Sequence, residues 1–186
     1  MLIIGITGTL GAGKGTIVEY LCRQHGFVHF SVRSYLTDEI RKQGREVNRD
    51  SMVEVANALR ALHGPAYIVE QLFLQAASSG QNCVIESIRT PGEVMSLRSK
   101  GQFFLFAVDA PARERYERII ARASETDHIS FETFTGNEER EMRSEDPNKQ
   151  NLARCIEMAD VLIINDGSIE DLHEKTESIL NNILNH

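Results

Sequence analysis

A lysine set among glycines near the start of the chain has the spacing of a phosphate-binding loop. The residues are Gly8, Gly11, Gly13 and Gly15, with Lys14 between the last two. Glycine lets the backbone wrap closely, so that consecutive N–H groups point inward at an anion. A lysine ammonium adds a mobile full charge for the outer phosphates. We therefore predict that this stretch binds the phosphates of a nucleotide.

The residues on either side of the loop fit this prediction. Residues 2–6 are apolar and largely β-branched, which indicates a buried strand, and the pattern of residues 16–21 is helical. A strand, a glycine-rich turn and a helix are the context that such a loop requires, and the helix adds the positive end of its dipole. Gly15 replaces the usual Ser or Thr after the lysine, so the hydroxyl for a magnesium ion is displaced to Thr16, or waters hold the ion instead.

Length, net charge and cysteine content limit the functions that this chain can have. The 186 residues suit one domain, and the net charge of −7 argues against a general nucleic-acid binder. The three cysteines are far apart and none has zinc-ligand spacing, which is typical of reduced thiols in a cytoplasmic protein. We find no signal peptide and no membrane span, and expect a cytoplasmic protein.

Apolar runs alternate with helical patterns along the chain. Four runs follow the first strand, at residues 27–30, 83–85, 103–108 and 161–164. Continuous apolar strands separated by helices predict an α/β fold: a five-stranded parallel sheet covered on both faces, in three layers. Ligands of such sheets bind at the carboxyl ends of the strands, so we expect the site residues there.

Two charged residues follow the third strand. Glu86 stands where a carboxylate beside a phosphate loop holds magnesium, directly or through water; alternatively it is a solvated strand-end residue. Arg89, three residues on, is a candidate phosphate clamp and catalytic residue, since guanidinium groups match phosphate oxygens, or else a surface arginine.

The sequence Gly13-Lys14-Gly15-Thr16 resembles the loop of adenylate kinases and their relatives. The turn at Asn165-Asp166-Gly167 is similar to that of dephospho-coenzyme A kinases as much as of adenylate kinases. The chain also resembles a domain joined to deoxycytidylate deaminases. The resemblance implies a P-loop kinase fold over residues 1–186, with an acceptor-binding insert at about 31–80 and a short lid at about 124–137. It also implies ATP with Mg2+.

The resemblance further implies two nucleotide sites. The donor site would hold ATP with the residues Gly8, Leu10, Gly11, Ala12, Gly13, Lys14, Gly15, Thr16, Arg118, Arg122 and Gly167. Arg118 and Arg122 lie one helical turn apart and would contact the donor nucleotide. Otherwise they form a surface stripe that pairs with Glu114 and Glu117.

The acceptor site would use the residues Ser31, Arg33, Ser34, Arg49 and Arg89. The family's Thr-Gly-Asp turn is replaced by Val32-Arg33-Ser34, which leaves the acceptor nucleotide open. Among the other arginines of the insert we favour Arg49, because it is expected in a loop. We expect Arg41, Arg45 and Arg60 to be solvated helix charges.

Arg140 and Arg143 follow the predicted lid. A lid that closes would bring them onto the transferring phosphoryl group as catalytic residues. Alternatively they pair with the glutamates at 138, 139 and 141. A zinc-bearing lid is excluded, because four cysteines are absent.

The sequence thus predicts a kinase that transfers the γ-phosphoryl group of ATP to a nucleoside or deoxynucleoside monophosphate. One alternative acceptor is dephospho-coenzyme A, whose hydroxyl needs a base; Asp38 is the only acidic residue close to the second strand that we can offer. A different class of function is a nucleotide-binding regulatory module with little turnover. The expected partners are ATP and a small nucleotide-like acceptor, with no nucleic acid and no membrane; the oligomeric state stays open.

Overall fold

A computed structural model describes residues 1–122 and 129–185 of the chain. It confirms the predicted α/β fold, because five parallel strands form one sheet with helices on both faces. The strands are β1 (Ile3–Gly8), β2 (Val28–Ser31), β3 (Cys83–Glu86), β4 (Phe103–Asp109) and β5 (Val161–Ile164).

The helices connect successive strands or close the chain. Their bounds are α1 (Lys14–His25), α2 (Val32–Lys42), α3 (Arg49–His63), α4 (Tyr67–Ser79), α5 (Pro91–Arg98), α6 (Ala112–Arg122), α7 (Phe131–Met142), α8 (Leu152–Glu157) and α9 (Ile169–Leu184). Within the described ranges, none of these helices is long and apolar enough to cross a membrane.

The strands are ordered β2-β3-β1-β4-β5, so β1 lies at the centre of the sheet. The register pairs Glu86 with Ile6 on one side and with Ser31 on the other. The carboxyl ends of β1, β2 and β3 therefore meet at one edge, directly beside the loop that follows β1. A crevice at such an edge is where doubly wound sheets bind ligands.

Alternate residues of the central strands pack into two different cores. Ile3, Cys83 and Ile85 join a core with helices α2 to α5, whereas Ile4 and Val84 join a core with α1 and α9. Since both faces of the sheet are covered, neither face needs polar residues. This explains why the strands read as continuous apolar runs.

One local prediction about the helices was wrong. Arg49 is the first residue of α3 and not part of a loop, because Asn48 caps that helix and forms a capping box with Ser51. Helix α2 begins at Val32, directly after β2. Helix α7 begins at Phe131 and so includes the second half of the predicted lid; Phe134 is fully buried there and anchors the helix. The role of this segment as a lid stays a prediction. Residues 124–128 of the predicted lid lie outside the described residues.

Candidate active site

The loop after β1 takes a shape that requires glycine, as Gly8 and Gly13 show. Gly8 has φ +133°, and a Cβ there would lie 2.0 Å from the carbonyl oxygen of Val108. Gly13 has φ +100°, and a Cβ there would lie 2.3 Å from Nδ2 of Asn165. Asn165 in turn donates from Nδ2 to the carbonyl oxygen of Ala12, at 2.9 Å. Contacts with β4 and with the turn after β5 thus hold the loop ready to receive an anion.

Lys14 begins helix α1 and bends back over the loop. Its Nζ donates to the carbonyl oxygens of Gly8, at 2.9 Å, and of Thr9, at 2.6 Å. Burial of the ammonium, together with the positive charge of Arg89, lowers the pKa of Lys14 to about 7. A bound phosphate would oppose both effects and favour the charged form.

One cavity of about 660 Å³ opens beside the loop. It contains most of the residues that the sequence predicted for the donor, acceptor and metal sites. These residues are Leu10, Gly11, Ala12, Gly13, Lys14, Gly15, Thr16, Arg33, Arg49, Glu86, Arg89, Arg118, Arg122 and Gly167.

Three of the predicted site residues lie outside the cavity lining: Gly8, Ser31 and Ser34. Gly8 forms the base of the loop against β4. Ser31 caps α2, where its hydroxyl accepts a hydrogen bond from the backbone N–H of Ser34 at 3.2 Å. Ser31 and Ser34 therefore have a structural role as a helix cap. The sequence pattern could not distinguish this role from ligand binding.

The two arginines after the predicted lid also lie outside the cavity lining. Arg140 is exposed and donates to Asp50, at 3.2 Å, and to Asn137, at 3.3 Å. Arg143 lines a separate shallow depression beside α8. Their arrival at the transferring group would require a movement of α7, so it stays a prediction.

Arg118 lies in the part of the cavity bounded by α6 and the turn after β5. Its Nη2 donates to Glu114, at 3.2 Å, and to the carbonyl oxygen of Asn165, at 3.1 Å. Its Nη1 is buried and has no hydrogen-bond partner among the described residues. A buried donor without a partner is costly, and a ligand in the cavity would relieve that cost.

Glu86 shares the cavity with Lys14 and Thr16. Burial opposes its ionisation, but a hydrogen bond with His29, at 3.1 Å, and the charges of Lys14 and Arg89 outweigh burial and lower the pKa of Glu86. The carboxylate is therefore charged and suited to a cation or its waters. His29 was missed as a partner because it comes from the neighbouring strand β2.

Arg49 and Arg89 meet around a residue that the sequence offered only as a partner for the lid arginines. Glu141, on α7, accepts from Nη2 of Arg49 at 2.5 Å and from Nη1 of Arg89. Gln150 also accepts from Nη1 of Arg89, at 3.0 Å. Burial opposes ionisation of Glu141, but the two guanidinium groups outweigh it and lower its pKa. This cluster joins α3, α7 and the segment after β3 in the cavity wall.

The prediction that Arg60 is solvated was wrong. Arg60 is 1% exposed and pairs with Glu93, which is fully buried, through Nη2 at 2.8 Å and Nε at 3.2 Å. The other oxygen of Glu93 accepts from the backbone N–H groups of Arg89, at 2.8 Å, and Thr90, at 3.1 Å. Glu93 therefore fixes the backbone that carries Arg89, and Arg60 neutralises Glu93.

Comparisons with known proteins agree with this architecture. The chain is 29% identical over 188 residues to a UPF0200 protein of Methanococcus maripaludis, covering 99% of this chain and 98% of that protein. It superposes on shikimate kinase from Aquifex aeolicus with a TM-score of 0.57 at 14% identity, covering 100% of both chains. It superposes on dephospho-CoA kinase from Campylobacter jejuni with a TM-score of 0.51 at 15% identity, covering 97% of this chain and 96% of that one.

These likenesses to solved structures show the fold, which is that of P-loop kinases. A family model described as an AAA domain matches residues 4–146. That match includes the phosphate loop, strands β1 to β4 and the clustered arginines of the cavity wall. The chain belongs to the AAA domain family.

Proposed function

We propose that this protein is a phosphotransferase that moves the γ-phosphoryl group of ATP to a nucleoside or deoxynucleoside monophosphate. The observation that carries the proposal is a single cavity that joins the phosphate loop to Arg33, Arg49 and Arg89. A loop of this kind suits the triphosphate of the donor. Three arginines suit a second anion, which a nucleotide-hydrolysing module would not need.

In this reaction the bond between the γ-phosphorus and the β–γ bridging oxygen breaks, and a bond forms to an oxygen of the acceptor phosphate. A monophosphate dianion is already a nucleophile, so the site needs no general base. Positioning and charge stabilisation do most of the work in such transfers. Lys14 would hold the β- and γ-phosphates, and Arg89 would hold the acceptor phosphate and neutralise charge on the group in transfer.

Mg2+ fits the donor part of the cavity. Glu86 is charged and shares the lining with Thr16, and magnesium is usually held by one or two carboxylates together with waters and substrate phosphates. Glu86, through water, and the Thr16 hydroxyl would hold the ion. The ion would neutralise phosphate charge and orient the γ-phosphoryl group.

Dephospho-coenzyme A is the alternative acceptor, because the fold is similar to that of a dephospho-CoA kinase. Its hydroxyl would need a base. Asp38 is exposed on α2 and is outside the cavity lining, so it is badly placed for that role. The arginines around the cavity therefore favour a monophosphate.

The decisive experiment is a coupled assay of ADP release from Mg-ATP with a panel of nucleoside monophosphates, deoxynucleoside monophosphates and dephospho-coenzyme A. We expect turnover with at least one monophosphate and its loss in Lys14→Ala, whose fold should remain intact by circular dichroism. Turnover with dephospho-coenzyme A alone would change the acceptor. Acceptor-independent hydrolysis, or unchanged turnover in Lys14→Ala, would overturn the proposal.

A further inference from the structure

The carboxylate of Glu141 lies where a ligand anion would be expected. Its side chain is only 6% exposed, and its two oxygens contact different arginines, Arg49 and Arg89. These partners are 92 and 52 residues away in sequence. All three residues line the cavity. An acidic side chain therefore neutralises two of the three arginines that the acceptor phosphate would use.

A permanent structural ion pair looks different in this protein. Arg60 also lines the cavity, but Arg60 and Glu93 are only 1% and 0% exposed, and Glu93 also accepts two backbone N–H groups, so a ligand has little access to that pair. Arg49 and Arg89 are each 20% exposed and face the cavity. A ligand can therefore reach the guanidinium groups around Glu141.

The contacts of Glu141 also leave a donor unused. Nε of Arg49 is buried and has no hydrogen-bond partner among the described residues. Glu141 takes one N–H from each arginine, whereas a phosphate monoester presents three oxygens and can engage a guanidinium group through two parallel hydrogen bonds. A phosphate in this position would satisfy Nε as well as Nη2 of Arg49.

We propose that Glu141 is an internal stand-in for the acceptor's phosphate, and that a phosphate monoester dianion binds by displacing it from Arg49 and Arg89. This inference rests on the proposed function, of which it specifies the acceptor subsite and its resident competitor. Before the acceptor binds, the carboxylate compensates the arginines. When the acceptor binds, repulsion between the two anions drives Glu141 out of the subsite.

Displacement of Glu141 would also release the C-terminal end of α7. The residue lies in the last turn of that helix, so its two ion pairs tie the helix to α3 and to the segment after β3. Loss of these contacts would free the C-terminal end of α7, with Arg140 and the following Arg143, while Phe134 still anchors the first part of the helix. Occupation of the acceptor subsite would thus be the event that permits the lid arginines to approach.

The test uses inorganic phosphate as the probe and Lys14→Ala as the background, so that phosphate held by the loop is removed from the signal. We expect Glu141→Gln in that background to bind phosphate at least about tenfold more tightly, because a competitor present most of the time lowers apparent affinity in proportion to the unoccupied fraction. Glu138→Gln is the matched control: Glu138 is on the same helix and pairs with Arg115, but neither residue lines the cavity.

Calorimetry on these variants decides the matter. Affinity in Glu138→Gln should stay within about twofold of the background, and adding Arg89→Ala to Glu141→Gln should abolish the gain. Equal or weaker phosphate binding in Glu141→Gln, or no binding in any variant, would overturn the inference. Because no turnover is measured, this result is independent of the ADP-release assay: displacement with no kinase activity would reject the proposed function and keep the inference.

Removing Glu141 could also prevent folding, since it leaves two guanidinium groups uncompensated. Hydrogen exchange on the unmutated protein then provides the test. Saturating phosphate should accelerate exchange of amides 139–142, because this end of α7 loses its ion pairs with Arg49 and Arg89. Unchanged or slower exchange of these amides at saturation would show that Glu141 stays in place.

Discussion

Lys14 carries a charge that depends on what fills the cavity. In the structure its ammonium is buried against the loop carbonyls, and Arg89 adds a like charge, so its pKa falls to about 7 from an ordinary value of 10.5. A nucleotide polyphosphate would raise the pKa again, because opposite charge favours the ammonium form. The residue therefore links proton uptake to nucleotide binding.

This linkage predicts the pH dependence of Mg-ATP affinity. The pKa is about 7 in the free protein and higher in the complex, so binding takes up a proton between the two values and weakens as pH rises above about 7. Because a single group titrates, the affinity can fall by at most about tenfold for each pH unit. Calorimetry at about pH 8 in buffers of different ionisation enthalpy should show uptake approaching one proton per nucleotide.

Lys14→Met is the control for this measurement, since it lacks the titrating amine and should bind weakly with little pH dependence. A flat affinity between about pH 7 and pH 9 in the unmutated protein would contradict the assigned role of the ammonium.

The N-terminus of α5 positions Arg89, a residue of the candidate site. Glu93 completes a capping box with Thr90 and also binds the backbone N–H of Arg89. Arg60 reaches it from α3 and compensates its charge. One buried carboxylate thus joins α3, α5 and the segment that carries the proposed acceptor arginine.

We predict that Glu93→Ala lowers the free energy of unfolding by about 3–5 kcal/mol, since removing one partner leaves the Arg60 charge buried and uncompensated. Urea denaturation followed by circular dichroism measures this loss. Glu157→Ala is the comparison, because Glu157 pairs with Arg154 at the surface, and such pairs contribute less than about 1 kcal/mol. Similar losses in both variants would refute the role given to Glu93.

Helix α7 is the second element with a functional prediction. Arg140 and Arg143 are directed to the surface here, so a closing movement would have to carry them to the phosphates. Arg140→Ala or Arg143→Ala should then lower turnover by roughly a hundredfold or more, as losing one contact made in the transition state does. ATP affinity should change much less.

Steady-state kinetics and calorimetry separate these two effects, and exposed Arg113→Ala on α6 is the control. Hydrogen exchange of residues 124–137 with and without a bisubstrate inhibitor tests the movement itself. Identical exchange in both states would mean that the lid assignment is wrong and that these two arginines are surface charges.

At the scale of the whole molecule, the cavity lies where the two cores meet at the carboxyl edge of the sheet. The loop belongs to the core of α1 and α9, through Ala12, whereas the proposed acceptor arginines come from elements beside the core of α2 to α5. A ligand that spans the cavity therefore contacts elements from both sides of the sheet and should stabilise the fold as a unit.

We predict that Mg-ATP at about 100 times its dissociation constant raises the free energy of unfolding by about 2.7 kcal/mol, by mass action alone. For a chain of this size that corresponds to a rise of roughly 5–11 °C in melting temperature. Differential scanning calorimetry measures the shift, and Lys14→Ala at the same nucleotide concentration should show a much smaller one. An unchanged melting temperature in the unmutated protein would argue against a nucleotide site.

The sequence by itself determined the features that depend on near neighbours. The phosphate loop, the five strands and the parallel α/β fold follow from glycine spacing and from apolar runs of three to six residues. Ser168 caps α9 through a capping box with Asp171, only three positions further on, which is a pattern that the sequence itself displays. Most of the predicted donor residues also line the cavity, because they are close to the loop or to strand ends.

Only the tertiary structure decided the strand order and the partners of the charged residues. The pairs of Glu141 with Arg49 and Arg89 join residues 92 and 52 positions apart, and no local pattern marks them. The burial of Arg60 depends on Glu93, 33 residues away. The sequence alone does not show whether an arginine is solvated, buried in a core or directed into a cavity, because its surroundings depend on which helices pack together.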